Sequence, residues 1–378
     1  MKEKVINILP SSLIPHHSSL INTMDLKGLR TRIDEIDDKV IDLLNERMSY
    51  AKEIGRVKEK GDEAYFRPDR ESEILRRLAE RCNHLSKEGL KAIYHQIFAE
   101  SLNLEAPLFI AYLGPQATFT HQAAEERFGR QARFLPQDDT SEVFLAVEKD
   151  TANFGVVPIE NSSEGIVSHT LDMFIDSNLK ICDEIFLEVS HCLLSNEKTL
   201  SDIRVIYSHP QGFAQCRKWL AKNIPKNVEF IEISSTAKAT QKASCEKGSG
   251  AVGGKWAGEV YGIPILAERI EDFSENTTRF LVIGKYESSP TGSDRTSILF
   301  SVKDRPGVLH NMLAPFAKYN INLTKIESRP LKARPWEYIF FIDFEGHKQD
   351  EKAKSALSEL EEMCVYIKIL GSYPKGEQ

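Results

Sequence analysis

The apolar positions change period along the chain. Leu29, Ile33, Ile36, Val40, Leu44, Met48 and Ala51 recur at three- and four-residue spacing, the period of a helix with one buried stripe. The spacing predicts one helix over 26–60, which at ~1.5 Å per residue would reach ~50 Å. A helix that long needs a packing partner. Gly61-Asp62 ends it, Pro68 suits the first position of a second helix, and a third is expected from Lys87 to Leu104.

After Ala106-Pro107 the period shortens. FIAYLG (109–114), FGVVPI (154–159), VIYS (205–208), VEFIEIS (228–234), GAVGG (250–254) and RFLVIG (279–284) read as strands separated by helical stretches. That alternation predicts an α/β module with a largely parallel sheet. Beyond a Ser-, Pro- and Gly-containing stretch, the remainder reads strand, helix, strand, strand, helix, strand, the βαββαβ order of a ferredoxin-like module. The expected fold class is therefore multidomain: α, then α/β, then α+β. The boundaries are a tail without fixed structure at 1–23, a helical module at 24–106, an α/β module at 107–286, a linker at 287–294 and the last module at 295–378.

Composition narrows the function classes. The 378 residues carry a net charge of -7, which argues against a nucleic-acid partner. No apolar run approaches the ~18–20 residues of a membrane span, and the first residues lack the layout of a signal peptide. Six scattered cysteines form no C-x-x-C pair, and the ten histidines form no helical H-x-x-x-H pair. The expectation is reduced thiols in a cytoplasmic protein with neither metal nor cofactor.

Charge sits where the helical pattern calls for apolar residues. Arg47 lies seven residues after Val40 and seven before Ile54, and Lys58 lies eleven after Arg47, which puts both within ~20° of the stripe. Cations there are costly unless they meet anions. Taken alone, Arg47 is equally well explained by a snorkelling side chain at the stripe edge. The third helix repeats the anomaly, because Leu90, Tyr94, Ile97, Ser101 and Glu105 share one face. Arg70 and Glu71 open the second helix. Such a polar pocket inside a bundle suits a small polyanion. Arg30, seventeen residues before Arg47, points ~100° away from it. Two antiparallel copies of the helix would let each supply what the other lacks, so a homodimer with shared sites is expected.

GLRTRIDEIDDKVIDLLNERMSYAKEIGRVK, RPDRESEIL and the AESLNLE run resemble the three helices of the all-helical chorismate mutase family. The resemblance implies that Arg30 of a second copy, Arg47, Arg70, Glu71 and Ser101 bind chorismate, with Lys58 and Glu105 as the catalytic donors. That reaction is a pericyclic rearrangement of a dicarboxylate. It needs a compact conformer and donors for the charge growing on the ether oxygen. Two residues depart from the family pattern. Arg67 stands where some relatives carry aspartate. Glu105 stands where some carry glutamine, and it can donate only when protonated, so mutase activity is expected to fall as pH rises.

In the α/β module, polar residues cluster where strands end: Gly114, Thr118 and Thr120; Glu160, Asn161 and Ser162; Ser208 and Gln211; Ser234 to Thr236; Thr278 and Arg279. Ligands of open α/β sheets bind beyond the carboxyl ends of strands. Each cluster alone could be a turn, and Thr118 alone could be a helix cap. In order, the GPQATFTH, PIENS, SHPQ, SSTA and NTTRF segments resemble the prephenate dehydratase family. That implies a two-lobed fold like periplasmic binding proteins, with Thr278 as the catalytic residue. It also implies that Thr118, Glu160, Asn161, Ser162, Ser208, Gln211, Thr236 and Arg279 bind or orient prephenate. Glu160 or a water would supply the proton. Ala117 stands where a glycine is common, which matters only if that position needs positive φ.

KDRPGVLHNM and IESRPL resemble the ACT regulatory family. The resemblance implies that L-phenylalanine binds near Gly307, Val308, Leu309, Glu327, Ser328, Arg329 and Pro330 at a subunit interface and inhibits the dehydratase. Three alternatives remain open at this stage: a dehydratase acting on arogenate, a dehydratase with an inactive mutase module, and a ligand sensor without catalysis.

Overall fold

The computed structural model describes residues 25–61, 64–163, 165–273, 275–303, 305–330 and 337–376. The tail expected over 1–23 lies outside them. Helices α1 (Leu26–Lys58), α2 (Pro68–Ala79) and α3 (Lys87–Glu105) form the first module. Asp25 and Ser86 cap α1 and α3 by accepting from the N–H groups of Gly28 and Gly89. Pro68 opens α2, where its missing N–H leaves no bond unmade. The end of α3 crosses α1 at Gly55, where a Cβ would lie 2.3 Å from the Glu105 carbonyl oxygen. Of α1, only Ala51 and Gly55 are buried. The apolar stripe that predicted the helix stays open in the single chain, with Ile33 57% and Val40 47% exposed.

The second module has two lobes. The first comprises β1 (Phe109–Leu113), α4 (Phe119–Phe128), β2 (Arg133–Gln137), α5 (Thr140–Glu148), β3 (Phe154–Asn161), β4 (Gly165–Ile166), α6 (Ser168–Asp176) and β5 (Lys180–Glu188). The chain then crosses to β6 (Cys192–Ser195), β7 (Val205–Ser208), α7 (Pro210–Gln215), α8 (Arg217–Asn223), β8 (Glu229–Glu232), α9 (Thr236–Cys245), β9 (Ser249–Gly253), α10 (Lys255–Tyr261) and β10 (Ile265–Ala267). It returns to the first lobe as β11 (Thr277–Gly284). The sheet orders are β2-β1-β3-β11-β5 and β10-β6-β9-β7-β8. Neither sheet is the largely parallel one expected. The returning β11 inserts antiparallel between β3 and β5, and β6 is antiparallel to both its neighbours. Two crossovers, 189–191 and 268–276, join the lobes.

Strand β5 was invisible to the pattern because Asp183 and Glu184 interrupt its apolar run. Both are buried, and both are paired. Asp183 meets Arg127, while Glu184 meets Arg279 and Arg295.

The last module comprises β12 (Asp294–Lys303), α11 (Val308–Lys318), β13 (Leu323–Pro330), β14 (Glu337–Glu345), α12 (Glu351–Met363) and β15 (Tyr366–Pro374). Its antiparallel order β13-β14-β12-β15 is that of the ferredoxin-like fold. One sheet face packs Ile298, Phe300 and Ile342 among Met312, Phe316 and Leu360 of its own helices. The other carries Leu299, Ile339, Phe341 and Tyr373 into a core shared with Phe144, Phe174 and Leu281 of the first lobe. Strand β15 lies so close to β5 that a Cβ on Gly371 would sit 2.2 Å from the Ile181 carbonyl oxygen. The segment expected as a linker is packed: Ser288 and Thr291 are buried, and Asp294 accepts from the N–H groups of Thr291 and Gly292.

The helical module docks on the first lobe through Phe66, which is fully buried against Phe128 and Phe154 with ring centroids 4.9 and 5.1 Å away. Arg67 has a docking role as well. It pairs with Asp69 at 2.9 Å and lies over the Tyr286 ring, while the Tyr286 hydroxyl donates to Asp69 at 2.9 Å.

Candidate active sites

The helical module brings four of the expected residues together in two pairs. Lys58 Nζ lies 2.7 Å from Glu105 Oε2 and donates to the Tyr65 carbonyl oxygen at 3.1 Å. Both side chains of the ion pair are only 12% exposed. Arg47 donates to Ser101 Oγ and lies over the Phe98 ring. Burial pulls the Arg47 guanidinium below its ordinary range, against the fields of Tyr94, Glu105 and Glu71. The close crossing at Gly55 sets this geometry, because it lets the end of α1 reach the end of α3.

The other expected mutase residues sit elsewhere in the single chain. Arg30 is exposed, far along α1 from Arg47. Arg70 is exposed and pairs with Glu73, one helical turn on. Glu71 turns to the α/β module, where Arg127 donates to it at 2.6 Å and to Asp183 at 2.6 Å. Burial pushes the Glu71 carboxyl up despite Arg127. Burial also opposes the Arg127 charge, but Glu71 and Asp183 more than offset it and hold the guanidinium above its usual range.

In the α/β module a chain of amides ends on Thr278. Asn161 Nδ2 donates to Thr278 Oγ1 at 2.7 Å and to Asn276 Oδ1 at 2.8 Å. Asn161 Oδ1 accepts from the Ser163 N–H at 2.9 Å. A backbone N–H cannot reverse its role, so this last bond fixes which way the Asn161 amide faces. Asn276 must then present its oxygen to Asn161 and its Nδ2 to Gln215 Oε1, 3.2 Å away. Thr278 Oγ1 therefore accepts, which leaves its own proton to donate. Strand pairing sets Thr278 beside Asn161, one residue into β11 and at the last residue of β3.

The two lobes touch across the α4 side of this chain. Ala117, Ala237 and Ala257 share a small core. They lie at the starts of α4, α9 and α10, so these helix ends pack the two lobes together. Nearby, Tyr261 donates to the Gln116 carbonyl oxygen at 3.0 Å and the rings of His121 and Trp256 lie 5.0 Å apart. Ala117 has φ 65°, so this is the positive-φ position where glycine would be unstrained.

Several expected substrate ligands are committed elsewhere. Arg279 follows Thr278 on β11, and successive strand residues face opposite ways. Its guanidinium is buried beneath the last module, donating to Glu184 at 2.7 Å, Asp343 at 2.6 Å and the Tyr373 hydroxyl at 2.9 Å. Glu160 precedes Asn161 and likewise faces away, 3.1 Å from Lys325 Nζ. Ser208 is fully buried and donates to the Val252 carbonyl oxygen at 3.0 Å. Thr118 is the α4 cap, accepting from His121 N–H while donating toward the Leu113 and Pro115 carbonyl oxygens. Ser162 ties β3 to β11 by donating to the Glu275 carbonyl oxygen and accepting from Thr277 N–H. Gln211 lies on α7 and Thr236 at the first position of α9. Asn276, Gln215 and His191 were not anticipated. Gln215 is one turn after Gln211, so helical spacing from the SHPQ segment reaches it. Asn276 lies inside the NTTRF segment itself.

In the last module, Pro330 pairs with Tyr338 on one side while Val302 pairs with it on the other. The Gly307 turn and the end of β13 thus share one end of the sheet. Gly307 has φ 79° and caps α11, and Val308 is buried while Leu309 is 39% exposed. Along β13 alternate residues face the first lobe, where Lys325 meets Glu160 and Arg329 meets Asp172. Glu327 shares that face, and Ser328 is exposed.

Among the described residues, no helix is long and apolar enough to cross a membrane, and no acidic, His or Cys cluster could hold a metal ion.

Three family models fall on the chain in order: chorismate mutase type II on residues 29–106, prephenate dehydratase on 110–288 and ACT domain on 296–362. The bifunctional chorismate mutase/prephenate dehydratase of Aquifex aeolicus is 48% identical over 358 residues, covering 93% of this chain and 98% of that one. Its namesake from Escherichia coli K12 is 32% identical over 373 residues, covering 92% and 96%. Among solved structures, the Arthrobacter aurescens prephenate dehydratase in complex with L-Phe is 31% identical with TM-score 0.65, covering 71% of this chain and 90% of that one. Matched by such relatives over more than nine-tenths of its length, the chain belongs to the bifunctional chorismate mutase/prephenate dehydratase family and carries a C-terminal ACT domain.

Proposed function

We propose that the helical module converts chorismate to prephenate and the inter-lobe cleft converts prephenate to phenylpyruvate, with L-phenylalanine inhibiting the second step through the ACT domain. The observation that carries this reading is the directed bond from Asn161 to Thr278. It leaves the Thr278 hydroxyl a proton of its own to give, as the departing hydroxyl of prephenate requires. In that reaction the ring carboxylate leaves as carbon dioxide. The electrons of its C–C bond complete the aromatic ring as the C–O bond breaks, and the hydroxyl takes up a proton to leave as water. Thr278 donates to that hydroxyl. Because Glu160 is turned away and paired with Lys325, we assign the incoming proton to water.

In the mutase site, Lys58 meets the ether oxygen with Glu105 beside it, while Arg47 and Ser101 hold a carboxylate. Arg30 comes from a second copy, because α1 leaves its apolar stripe open and holds Arg30 well away from Arg47. Phenylalanine sits between Gly307–Leu309 and Glu327–Pro330. The ion pairs of Lys325 and Arg329 tie that strand to the dehydratase. Binding that favours one arrangement of the strand shifts the population of active sites.

The test is to supply chorismate alone to the purified chain and follow products with and without phenylalanine. Prephenate followed by phenylpyruvate, with the second step suppressed by phenylalanine, is expected. Unchanged chorismate together with turnover of added prephenate would remove the mutase assignment and keep the dehydratase.

A further inference from the structure

Three of the four ACT strands are fastened to the first lobe by apolar packing. β12, β14 and β15 place Leu299, Ile339, Phe341, Leu370 and Tyr373 in the shared core, and β13 places none there. β13 is the edge strand of its sheet, paired on one side with β14, and a register shift precedes Lys325. It meets the lobe through ion pairs, Lys325 with Glu160 at 3.1 Å and Arg329 with Asp172 at 3.3 Å. A close-packed core holds its strands in one arrangement, whereas an edge strand held by ion pairs shifts with few bonds broken. Lys325 stands directly behind the dehydratase residues. Its partner Glu160 pairs across β3 and β11 with Arg279, and the next pair along is Asn161 with Thr278. On the ACT side, Lys325 pairs across β13 and β14 with Asp343. The two cross-strand pairs face each other and are bonded at both corners, Lys325 donating to Glu160 and Arg279 donating to Asp343 at 2.6 Å. Burial opposes the Asp343 charge, but Arg279 and Lys325 more than offset it and hold the carboxyl below its usual range. Asp343 and Arg279 belong to core strands, which fixes one side of this square. Lys325 belongs to the edge strand, which leaves the other side able to move.

We infer that the Lys325–Glu160 ion pair carries feedback inhibition from the ACT domain to the dehydratase site. Two residues beyond Lys325, β13 enters Glu327–Pro330, the segment proposed to hold phenylalanine. A shift of this strand on binding moves Lys325, and Lys325 draws on the end of β3 that carries Asn161. That end is the part of the sheet that yields. It lies beyond a register shift with β11, and its other neighbour, β4, is only two residues long. Arg329 does not serve the same purpose, because its partner Asp172 lies on α6, which supplies no residue to the site. In the free enzyme Asn161 keeps its own bonds to Thr278 and Ser163. The ion pair is therefore dispensable for turnover and required for turnover to respond, as coupling between two sites demands. The inference rests on the dehydratase assignment of Thr278 and on the phenylalanine reading of the ACT domain.

The experiment uses the full chain and follows prephenate turnover across a phenylalanine titration, with calorimetry for phenylalanine binding and mutase turnover as the folding control. Lys325→Met should keep its uninhibited kcat within ~2-fold of wild type and still bind phenylalanine. The concentration giving half-inhibition should rise at least ~5-fold, the lower end of the range that allosteric coupling spans. Lys325→Arg keeps a cation at the position and should retain inhibition. Glu160→Gln should weaken inhibition relative to its own uninhibited rate, and adding Lys325→Met should weaken it little further, because both act through one contact. Lys368→Met is the control. It removes another contact between the ACT domain and the first lobe, from Lys368 Nζ to the Phe174, Ile175 and Ser177 carbonyl oxygens, and it should leave inhibition in place. Unchanged inhibition in Lys325→Met, loss of phenylalanine binding along with it, or equal loss of inhibition in Lys368→Met would each overturn the inference. Wild-type protein that turns over prephenate without inhibition by phenylalanine would instead overturn the ACT reading, and wild-type protein that leaves prephenate unchanged would overturn the dehydratase assignment.

Discussion

The mutase and dehydratase sites solve the placement of polar groups in opposite ways. In the helical module the polar residues are charged and few, and the single chain brings only part of the set together. Arg47 meets Ser101 and Lys58 meets Glu105, while Arg30 points to solvent beside an exposed apolar stripe. In the two-lobed module the polar groups are neutral amides and hydroxyls, already linked to one another from His191 to Thr278. A neutral chain is cheap to bury because the oxygen of each amide in it meets a donor. A cationic pocket cannot be closed without an anionic ligand or a second subunit. On the proposed assignment, the mutase site is completed by a second copy, whereas the dehydratase residues are set within one chain.

The largest effects that would sharpen this contrast are on turnover. Thr278→Val should reduce dehydratase kcat by ~10²–10³, the range for losing one hydrogen-bond donor to the charge that develops on a leaving oxygen, with Thr278→Ser keeping part of it and mutase turnover unaffected. A fully active valine variant would break the assignment. Lys58→Ala should lower mutase kcat by ~10²–10³ while leaving the dehydratase rate intact. Glu105→Ala should likewise lower mutase turnover while leaving the dehydratase rate intact, and an unaffected mutase rate would remove Glu105 from the site.

Smaller effects test the frame around the sites. Burial pulls His121 from 6.5 down to about 4. The unfolded chain then binds a proton that the folded chain refuses. Stability is full above pH 6.5 and falls as the pH drops toward 4, by up to ~3 kcal/mol from this residue. Denaturant titrations at both ends of that window should show the fall, and His121→Asn should make it shallower. Ala117→Gly should raise stability by ~1 kcal/mol by relieving the positive φ, read as a higher Tm.

What could be read from the sequence follows the same contrast. A helix fixes its faces by period, so the misplaced Arg47, Lys58, Ser101 and Glu105 could be put on one side of a bundle before any coordinates. A strand end does not reveal which neighbour faces the cleft. Thr278 and Arg279 stand together in the sequence, and so do Asn161 and Glu160, yet in each pair one residue serves the amide chain and the other the ACT interface. Ser208 was similarly placed at a strand end but turns inward. Charges whose partners lie in another module were the hardest to read. Glu71 is claimed by Arg127, and Asp183 and Glu184 hid strand β5 altogether. Arg67, a departure from the family pattern, became intelligible once Tyr286 was seen beneath it.

The central claim is that a mutase site is built from two chains while each dehydratase site is contained in one. The direct test is to co-express the Arg30→Ala and Lys58→Ala variants, each low in mutase activity alone and each retaining dehydratase activity. Mutase turnover clearly above that of either variant is predicted, because mixed dimers form sites with both Arg30 and Lys58 intact. Turnover no higher than that of the two variants separately, in a preparation shown to contain mixed dimers, would contradict the shared site.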